Sequence, residues 1–162
     1  MSSPKQIEFS PREATLDDLP QLVRIEAAVH VAPWSEAGFK GELEKPYSHT
    51  LVMTDEETDQ IIAAYVVFWT IGEGAHILNV AVDLPYRGLG FAQRLIRKVA
   101  DLALRQSLKT VVLDVRKSNL AAIQLYQKLG FTIQTVRKKF YSNGEDAYGM
   151  SLDLTSEKVI EF

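Results

Sequence analysis

The hydrophobic and polar positions of this chain follow two different periods. Short runs rich in β-branched and aromatic residues, typical of strands, alternate with stretches whose apolar residues recur every three or four positions, typical of amphipathic helices. The pattern predicts the order β-α-α-β-β-β-α-β-α-β-β. We therefore expect an α/β fold in which a mixed sheet of about seven strands carries helices on both faces.

Apolar runs, helix caps and turn residues set the predicted boundaries. The predicted strands are Ile7–Arg12, Leu51–Thr54, Ile61–Ile71, Ala75–Val82, Val111–Val115, Thr132–Phe140 and Ala147–Leu154. The predicted helices are Leu16–Val29, Glu36–Glu44, Phe91–Gln106 and Asn119–Leu129. Thr15 and Ser35 are candidate caps of the first two helices, and Gly130 is a candidate end of the last. The pair Asn143-Gly144 predicts a tight turn between the last two strands.

Composition restricts the class of protein. The chain has 162 residues, 46% hydrophobic and 24% charged, which predicts one globular domain over residues 1–162 with residues 1–5 and 156–162 frayed. The lack of cysteine excludes disulfides and thiolate chemistry. A net charge of −3 argues against a nucleic-acid partner. The sequence has no apolar signal core and no 18-residue apolar run, so we expect a cytoplasmic protein without a membrane partner.

Histidine spacing gives no sign of a metal site. His30, His49 and His76 share no spacing typical of metal ligands, so no metal is predicted. The oligomeric state and the need for a partner subunit are left open by the sequence.

The stretch Val80–Ala92 combines an apolar strand, a glycine turn and the start of a helix. The strand ends at Val82, the turn contains Gly88 and Gly90, and the predicted helix begins at Phe91. Unpaired N–H groups at a helix start, together with the positive end of the helix dipole, suit a phosphate or pyrophosphate. The stretch therefore predicts an anion-binding loop, with an ordinary strand-to-helix turn as the alternative.

The glycine spacing differs from the common nucleotide-binding motifs. A P-loop requires Gly-Lys-Ser/Thr, whereas Gly90 is followed by Phe91 and Ala92. A dinucleotide-binding loop has a different spacing of small residues and an acidic residue about twenty positions on, for which Asp114 is the nearest candidate. The spacing is instead Arg-x-x-Gly-x-Ala, beginning at Arg87.

A second stretch of interest begins at Asp114. This acid interrupts the nearly continuous apolar run Val111–Val115, which predicts a strand covered on both faces. A buried acid costs free energy unless it is paired, hydrogen-bonded or used in chemistry. An ion pair with Arg116, two residues on and on the same strand face, is the structural explanation.

The helix after this strand contains two further polar side chains. Asn119 is a candidate helix cap. Tyr126 lies between Leu125 and Leu129, which is typical of a core aromatic whose hydroxyl reaches the rim of the core. Each residue therefore has a structural explanation as well as a possible chemical role.

Taken together, these stretches resemble the Gcn5-related N-acetyltransferase (GNAT) family. Arg87–Ala92 resembles the acyl-CoA pyrophosphate loop of the family, and Asp114–Phe131 resembles its pantetheine and thiol region. Ala32–Ser35, Asn79–Asp83 and Phe140–Tyr148 are similar to members that acetylate protein N-terminal amines. These are the bacterial RimI type, which acts on the N-terminal alanine of a small-subunit ribosomal protein, and the NatA catalytic subunit type. The resemblance implies the GNAT fold, with a mostly antiparallel sheet, and acetyl-CoA as co-substrate.

The resemblance also implies a role for each matching position. Asp114 takes the position of the general-base glutamate of the RimI type, and Tyr126 that of its general acid. Trp34 and Tyr141 would line the site for the peptide N-terminus. The positions that would bind acetyl-CoA are Val80, Ala81, Val82, Gly88, Leu89, Gly90, Phe91, Ala92, Gln93 and Asn119.

These roles are consistent with direct transfer. A free α-amine has a pKa of about 8, so near neutrality it must lose a proton before it attacks a thioester. A carboxylate can take that proton directly or through one water, N–H donors can stabilise the oxyanion, and a phenol can protonate the departing thiolate. No covalent enzyme intermediate is needed, which fits a chain without cysteine.

Two positions depart from the patterns of these relatives. The RimI type has glutamate where this chain has Asp114, whose arm is one methylene shorter. The NatA type has a glutamate just after the proline of the first loop, where this chain has Trp34. We expect an acetyl-CoA-dependent enzyme that acetylates the N-terminal amine of a protein beginning with Ala or Ser, a ribosomal protein among the candidates. Two alternatives remain: acetylation of a lysine or small amine, and a non-catalytic acetyl-CoA-binding module.

Overall fold

The computed structural model describes residues 7–155, which form seven strands and four α-helices. The strands are β1 (Phe9–Glu13), β2 (Ser48–Asp55), β3 (Ile62–Ile71), β4 (Gly74–Val82), β5 (Thr110–Arg116), β6 (Thr132–Arg137) and β7 (Ala147–Asp153). The helices are α1 (Leu19–Val29), α2 (Glu36–Glu44), α3 (Phe91–Arg105) and α4 (Leu120–Lys128), with short 3-10 helices at Leu16–Asp18 and Leu84–Tyr86. The predicted order of elements is confirmed. The predicted frayed ends, residues 1–5 and 156–162, lie outside the described residues.

The strands form one mixed sheet in the order β1-β2-β3-β4-β5-β7-β6. β1 and β2 are antiparallel, β4 and β5 are parallel, and β7 is antiparallel to both β5 and β6. The last strand of the chain therefore lies inside the sheet, and β6 lies at its edge. The burial of the two strands follows from this order, since β7 is largely buried and every residue of β6 is exposed.

The backbone contacts divide the chain into two compact units. The first comprises Met1–Val67 and Asn79–Leu95, and the second comprises Phe68–Leu78 and Ile96–Phe162. A single domain over the whole chain stays a prediction.

The core of the first unit is built around α1. Its buried members come from α1, α2 and the neighbouring strands: Leu19, Leu22, Ile25, Phe39, Val52, Ile62, Tyr65, Val67 and Ala81. The helix was predicted to begin at Leu16, but the first turn is a 3-10 helix. Pro20 explains the difference, because it has no N–H to donate to the Leu16 carbonyl as an α-helix would require. The predicted caps are present: the Thr15 N–H donates to Asp18 at 2.8 Å, and Ser35 Oγ accepts from the Gly38 N–H at 3.1 Å.

In the second unit, β5 has one buried face. Val111, Leu113 and Val115 are buried, whereas Asp114 between them is exposed. The prediction of a strand covered on both faces is therefore wrong. The prediction that Asp114 is buried is wrong for the same reason. The error arises because Val112, an apolar residue on the more open face, makes the run look continuous in sequence.

The connection between β6 and β7 is longer than predicted. β6 ends at Arg137 rather than Phe140, and β7 begins at Ala147. The Asn143-Gly144 turn is present, with a positive φ of 85° at Gly144 and a hydrogen bond of 2.9 Å from its N–H to the Tyr141 carbonyl. It lies within a loop, so the predicted tight hairpin is wrong.

Asp55 organises the loop between β2 and β3. Its buried carboxylate accepts hydrogen bonds from the Thr58 N–H at 2.8 Å, the Thr58 hydroxyl at 2.6 Å and the Ile61 N–H at 2.9 Å. These hydrogen bonds, that from the Thr58 side chain first, lower the pKa of Asp55 to about 2. The carboxylate thus closes the loop as an internal cap.

The ionised form of Asp55 should stabilise the fold in a defined pH range. Its pKa in the folded state lies below the unfolded value of about 3.9, so its contribution is fully present above about pH 4 and is lost as the pH falls through about 2. We expect Asp55→Asn to lower the urea midpoint of unfolding at pH 7. The difference in midpoint between wild type and variant should become smaller toward about pH 2. Urea unfolding from pH 7 to about pH 2 measures this difference, and a difference independent of pH would contradict the stabilising role of the ionised Asp55.

Candidate active site

Asp83 anchors the loop that leaves β4. Its buried carboxylate accepts a hydrogen bond from the Leu84 N–H at 3.0 Å and pairs with Arg24 at 3.0 Å. Its own N–H donates to the Ala63 carbonyl at 2.8 Å. These three contacts fix the direction in which the chain enters the 3-10 helix and the glycine turn beyond it.

The glycine turn is shaped for a close approach by an anion. Gly88 and Gly90 have φ values of 79° and 81°, a left-handed conformation that side chains with a Cβ rarely adopt. A Cβ built at either position would meet nothing within 4 Å, so the space beside the turn is open. α3 begins at Phe91, and the N–H groups of its first turn have no acceptor within the helix. Open space, glycine backbone and helix donors fit a pyrophosphate.

The strand before this loop has its predicted extent. Val80 and Val82 are half-buried and alternate with the buried core residue Ala81. The ladder between β4 and β5 runs from Gly74 to Ile77 on β4, so Val80–Val82 lie outside it. Their position outside this ladder is consistent with backbone groups that serve a ligand, and this role stays a prediction.

Glu26 is the most deeply buried carboxylate among the described residues of the first unit, and it was not among the predicted site residues. It lies on α1 with 1% of its surface exposed. One of its oxygens, Oε1, accepts from the Tyr65 hydroxyl at 2.5 Å and from Asn79 Nδ2 at 2.8 Å. The other, Oε2, accepts from the backbone N–H of Trp34 at 3.0 Å. A glutamate on the apolar stripe of an amphipathic helix was the sequence signal for this cluster.

The Tyr65 hydroxyl is held protonated in this environment. Burial first, and the hydrogen bond to Glu26 second, raise the pKa of Tyr65 well above its ordinary value. The phenol therefore acts as a permanent donor to the Glu26 carboxylate. The ring nitrogen His30 Nε2 lies 3.6 Å from Glu26 Oε1, and within residues 7–155 it is a buried nitrogen without a hydrogen-bond partner.

Trp34 is fixed through its ring as well as its backbone. Its ring is tilted against that of Phe39 with centroids 5.3 Å apart, and Phe39 meets Tyr65 edge to face at 5.6 Å. The side chain of Trp34 is half-buried against the core of the first unit, so part of its ring faces solvent. This is the predicted peptide-lining residue of the first unit.

Asp114, the predicted general base, is accessible and ion-paired. Its side chain is 34% exposed, and its Oδ1 lies 2.9 Å from Arg137 Nε. Arg137 is on β6, two strands from β5, and Gly149 on β7 lies between them in register with Asp114. The expected ion pair with Arg116 is wrong, because the strand order brings a different arginine to this carboxylate.

Arg116 instead orders the loop that contains Tyr141. Its guanidinium carbon lies 3.8 Å from the centroid of the Tyr141 ring, and its Nη1 lies 3.3 Å from Glu145. Glu145 also accepts a hydrogen bond from the Ser118 N–H at 2.9 Å. Contacts with Ser118 first, and with Arg116, lower the pKa of Glu145. Tyr141, predicted to line the peptide site, is therefore held by a cation over its ring.

The two predicted residues of α4 have the structural roles that the sequence suggested. Asn119 Oδ1 accepts from the Ala122 N–H at 3.2 Å and so caps the helix, with its side chain otherwise exposed. Tyr126 is buried against Phe131, with ring centroids 5.8 Å apart. Burial first, and the nearby Tyr141, raise the pKa of Tyr126 to about 12. Its hydroxyl is therefore protonated at neutral pH.

The predicted site residues fall into two groups. Trp34, Val80–Val82 and Gly88–Gln93 belong to the first unit. The second unit contains Asp114, Asn119, Tyr126 and Tyr141. In the part of the chain that the structure describes, no three His, Cys, Asp or Glu side chains converge as a metal site would require. Among the helices of residues 7–155, none is long and apolar enough to cross a membrane.

Known proteins match this chain in sequence and in fold. The profile of the acetyltransferase (GNAT) family matches residues 19–131. A Salmonella typhimurium relative, named [ribosomal protein bS18]-alanine N-acetyltransferase, is 33% identical over 141 residues, 85% of this chain and 93% of its own length. The crystal structure of the ribosomal-protein-S18-alanine N-acetyltransferase from Escherichia coli superimposes with a TM-score of 0.82 at 30% identity, over 96% of this chain and all of that one.

A more distant structure supports the fold alone. Arabidopsis thaliana NAA60, solved in complex with acetyl-CoA, has a TM-score of 0.82 at 18% identity and covers 92% of this chain and 100% of its own. The family match covers most of this chain, and the whole of the Escherichia coli enzyme superimposes on it. This chain belongs to the acetyltransferase (GNAT) family and is an N-acetyltransferase.

Proposed function

We propose that this enzyme transfers an acetyl group from acetyl-CoA directly to the N-terminal α-amine of a protein in the cytoplasm. Proteins that begin with Ala or Ser are the proposed acceptors, and a ribosomal protein is the first candidate. The observation that carries the proposal is the open glycine turn between β4 and α3 in a chain of this family. The Salmonella relative supports the choice of acceptor, since its name specifies an alanine of a ribosomal protein.

The donor side of the reaction would use residues of β4, of the glycine turn and the start of α3, and of the cap of α4. The pyrophosphate would be held by backbone N–H groups of Gly88–Gln93, and Asn119 would contact the pantetheine arm. A backbone N–H in Val80–Val82 would polarise the acetyl carbonyl. Acetyl-CoA supplies the thioester, whose C–S bond breaks as the new C–N bond forms. These assignments are supported by the glycine conformations and by the resemblance to the family.

Tyr126 is the proposed acid for the departing thiolate. A group can donate a proton only if it still holds one, and with a pKa of about 12 the phenol is protonated at neutral pH. Burial next to Phe131 fixes the ring, so the hydroxyl has a defined position. The same burial explains both the pKa and the rigidity.

Asp114 is the proposed base that takes the proton of the α-ammonium. Its exposure makes its carboxylate reachable by solvent, which suits proton transfer through one water better than a fully buried position would. The short aspartate arm gives the same preference for a bridging water. The ion pair with Arg137 orients the carboxylate and occupies one of its oxygens, Oδ1.

Transfer to a lysine or small amine is the second candidate, and a non-catalytic acetyl-CoA-binding module is the third. Neither is favoured, because the compared relatives with 30% identity or more are named as alanine N-acetyltransferases.

A peptide panel tests the acceptor. We expect acetyl-CoA-dependent transfer to free N-termini beginning with Ala or Ser, with weaker transfer to Met or Lys. Matched peptides with a blocked N-terminus and an internal lysine are the control and should stay unmodified. Mass spectrometry locates the added group. Acetylation of the internal lysine instead would retain the chemistry and refute the proposed acceptor.

Loss of the Tyr126 hydroxyl tests the acid. We expect Tyr126→Phe to lower kcat by about 10²-fold, because the thiolate would leave unprotonated, and to change the KM for acetyl-CoA little. The wild-type rate should show no falling limb between about pH 7 and about pH 10, since the pKa of Tyr126 lies at about 12. Tyr47→Phe, at an exposed tyrosine between α2 and β2 with no proposed role, is the control. An unchanged kcat in Tyr126→Phe would exclude the role.

Separate loss of each partner of the Asp114–Arg137 pair tests the base. We expect Asp114→Asn to lower kcat/KM by about 10²-fold at pH 7, and the loss to shrink toward about pH 9, where the α-amine is already deprotonated. Arg137→Gln removes the ion pair but keeps the carboxylate, so its effect should be much smaller. Steady-state kinetics against pH measure both. Equal losses in the two variants would show that Asp114 acts only through its ion pair.

A further inference from the structure

The Glu26 carboxylate joins the loop of Trp34 to β4. Its Oε2 accepts the Trp34 N–H at 3.0 Å, and its Oε1 accepts Asn79 Nδ2 at 2.8 Å. Asn79 is the residue immediately before Val80–Val82 on β4. A single buried side chain of α1 therefore holds the proposed acceptor-lining residue and the proposed acetyl-binding strand.

A second connection runs from Glu26 to the ring of Trp34. The Tyr65 hydroxyl donates to Oε1, the Tyr65 ring meets Phe39, and the Phe39 ring meets Trp34. The backbone and the side chain of Trp34 are thus both fixed from the same carboxylate. Such a closed set of contacts restrains the orientation of the indole more than either connection alone.

We infer that Glu26 is a positioning residue that sets the distance between the acceptor site at Trp34 and the donor strand Val80–Val82. The inference rests on the proposed function, because it assigns the acceptor amine to Trp34. Its physical basis is the cost of misalignment: a shift of about 1 Å between reacting groups lowers the rate of transfer by about 10²-fold. Glu26 makes no contact with substrate in this role, since its carboxylate is buried and its oxygens are used by the protein.

Glutamine is an informative replacement because it keeps the shape of Glu26 but not its acceptors. The carboxylate accepts three protein donors through two oxygens. An amide offers one oxygen and one NH₂ group, so it cannot accept donors on both sides. If the amide oxygen keeps the hydrogen bonds from Tyr65 and Asn79, the NH₂ group faces the Trp34 N–H. Two donors then face each other, so the hydrogen bond that holds the loop of Trp34 is lost.

The test is a double-mutant cycle with Glu26→Gln and Trp34→Ala in the full chain. We expect Glu26→Gln alone to lower kcat/KM for an Ala-initiated peptide at least about tenfold, chiefly through a lowered kcat, with the KM for acetyl-CoA nearly unchanged. In the Trp34→Ala background the same change should have little further effect, because the indole that Glu26 positions is gone. An equal loss in both backgrounds would overturn the inference.

Glu42→Gln is the matched control for the cost of neutralising a buried glutamate. Glu42 lies on α2 with 7% of its surface exposed, and it binds Lys45 and the Ser48 hydroxyl, the latter at 3.0 Å. We expect Glu42→Gln to lower the Tm as Glu26→Gln does, but to leave the kcat for peptide acetylation unchanged. A lowered kcat in both variants would attribute the effect to general loosening and overturn the inference.

Hydrogen exchange gives a readout that needs no turnover. In Glu26→Gln the backbone N–H of Trp34 should exchange faster, while the amides of β2, which belongs to the first unit, should change less. Unchanged protection of the Trp34 amide would overturn the inference even if activity falls. If the wild type acetylates no free α-amine, the proposed function fails. If the wild type acetylates a free α-amine but the effects of Glu26→Gln and Trp34→Ala are additive, only the positioning role of Glu26 fails.

Discussion

The hydrogen bonding of the buried Glu26 carboxylate links three segments of the first unit. Removing a carboxylate such as that of Glu26 from water costs on the order of several kcal/mol, and only well-placed donors offset that cost. Tyr65, Asn79 and the Trp34 N–H provide them, from β3, β4 and the loop after α1. Because an unpaired donor or acceptor in this place would be costly, the charge constrains three separate segments at once. An apolar side chain could fill the same volume, but it would not specify where the loop of Trp34 must lie.

In the second unit, the carboxylates of Asp114 and Glu145 differ in their access to solvent and in their partners. The Asp114 carboxylate is paired with Arg137 yet accessible, whereas Glu145 is engaged by both Ser118 and Arg116. Access to solvent is what a proton acceptor requires, and engagement on several sides is what a structural anchor requires. This contrast supports the proposal that Asp114, rather than Glu145, is the base of this unit, and the Arg116 guanidinium held by Glu145 lies over the Tyr141 ring.

The order of the strands explains why Asp114 pairs with Arg137, a partner that the sequence pattern around Asp114 does not indicate. The final strand β7 enters between β5 and β6, so Arg137 must reach across it to Asp114. Gly149 on β7 makes this possible: a Cβ there would lie 3.5 Å from Asp114 Oδ1 and only 2.3 Å from Thr135 Oγ1. A glycine in a strand interior often marks such a close approach. The ion pair thus depends on a residue that has no side chain.

The sequence by itself determined the order of all eleven strands and helices within residues 7–155, the helix caps, and the glycine loop, because periodicity, capping and positive φ are local properties. Candidate site residues came from the resemblance, since a role in chemistry leaves no periodic signal. Only the tertiary structure decided the exposure and partner of Asp114, the loop after β6 and the cluster at Glu26. Each of these depends on which distant segments become neighbours: the donors to Glu26 come from residues up to 53 positions away. Contacts of that kind follow from strand order and packing, which the period of a sequence does not encode.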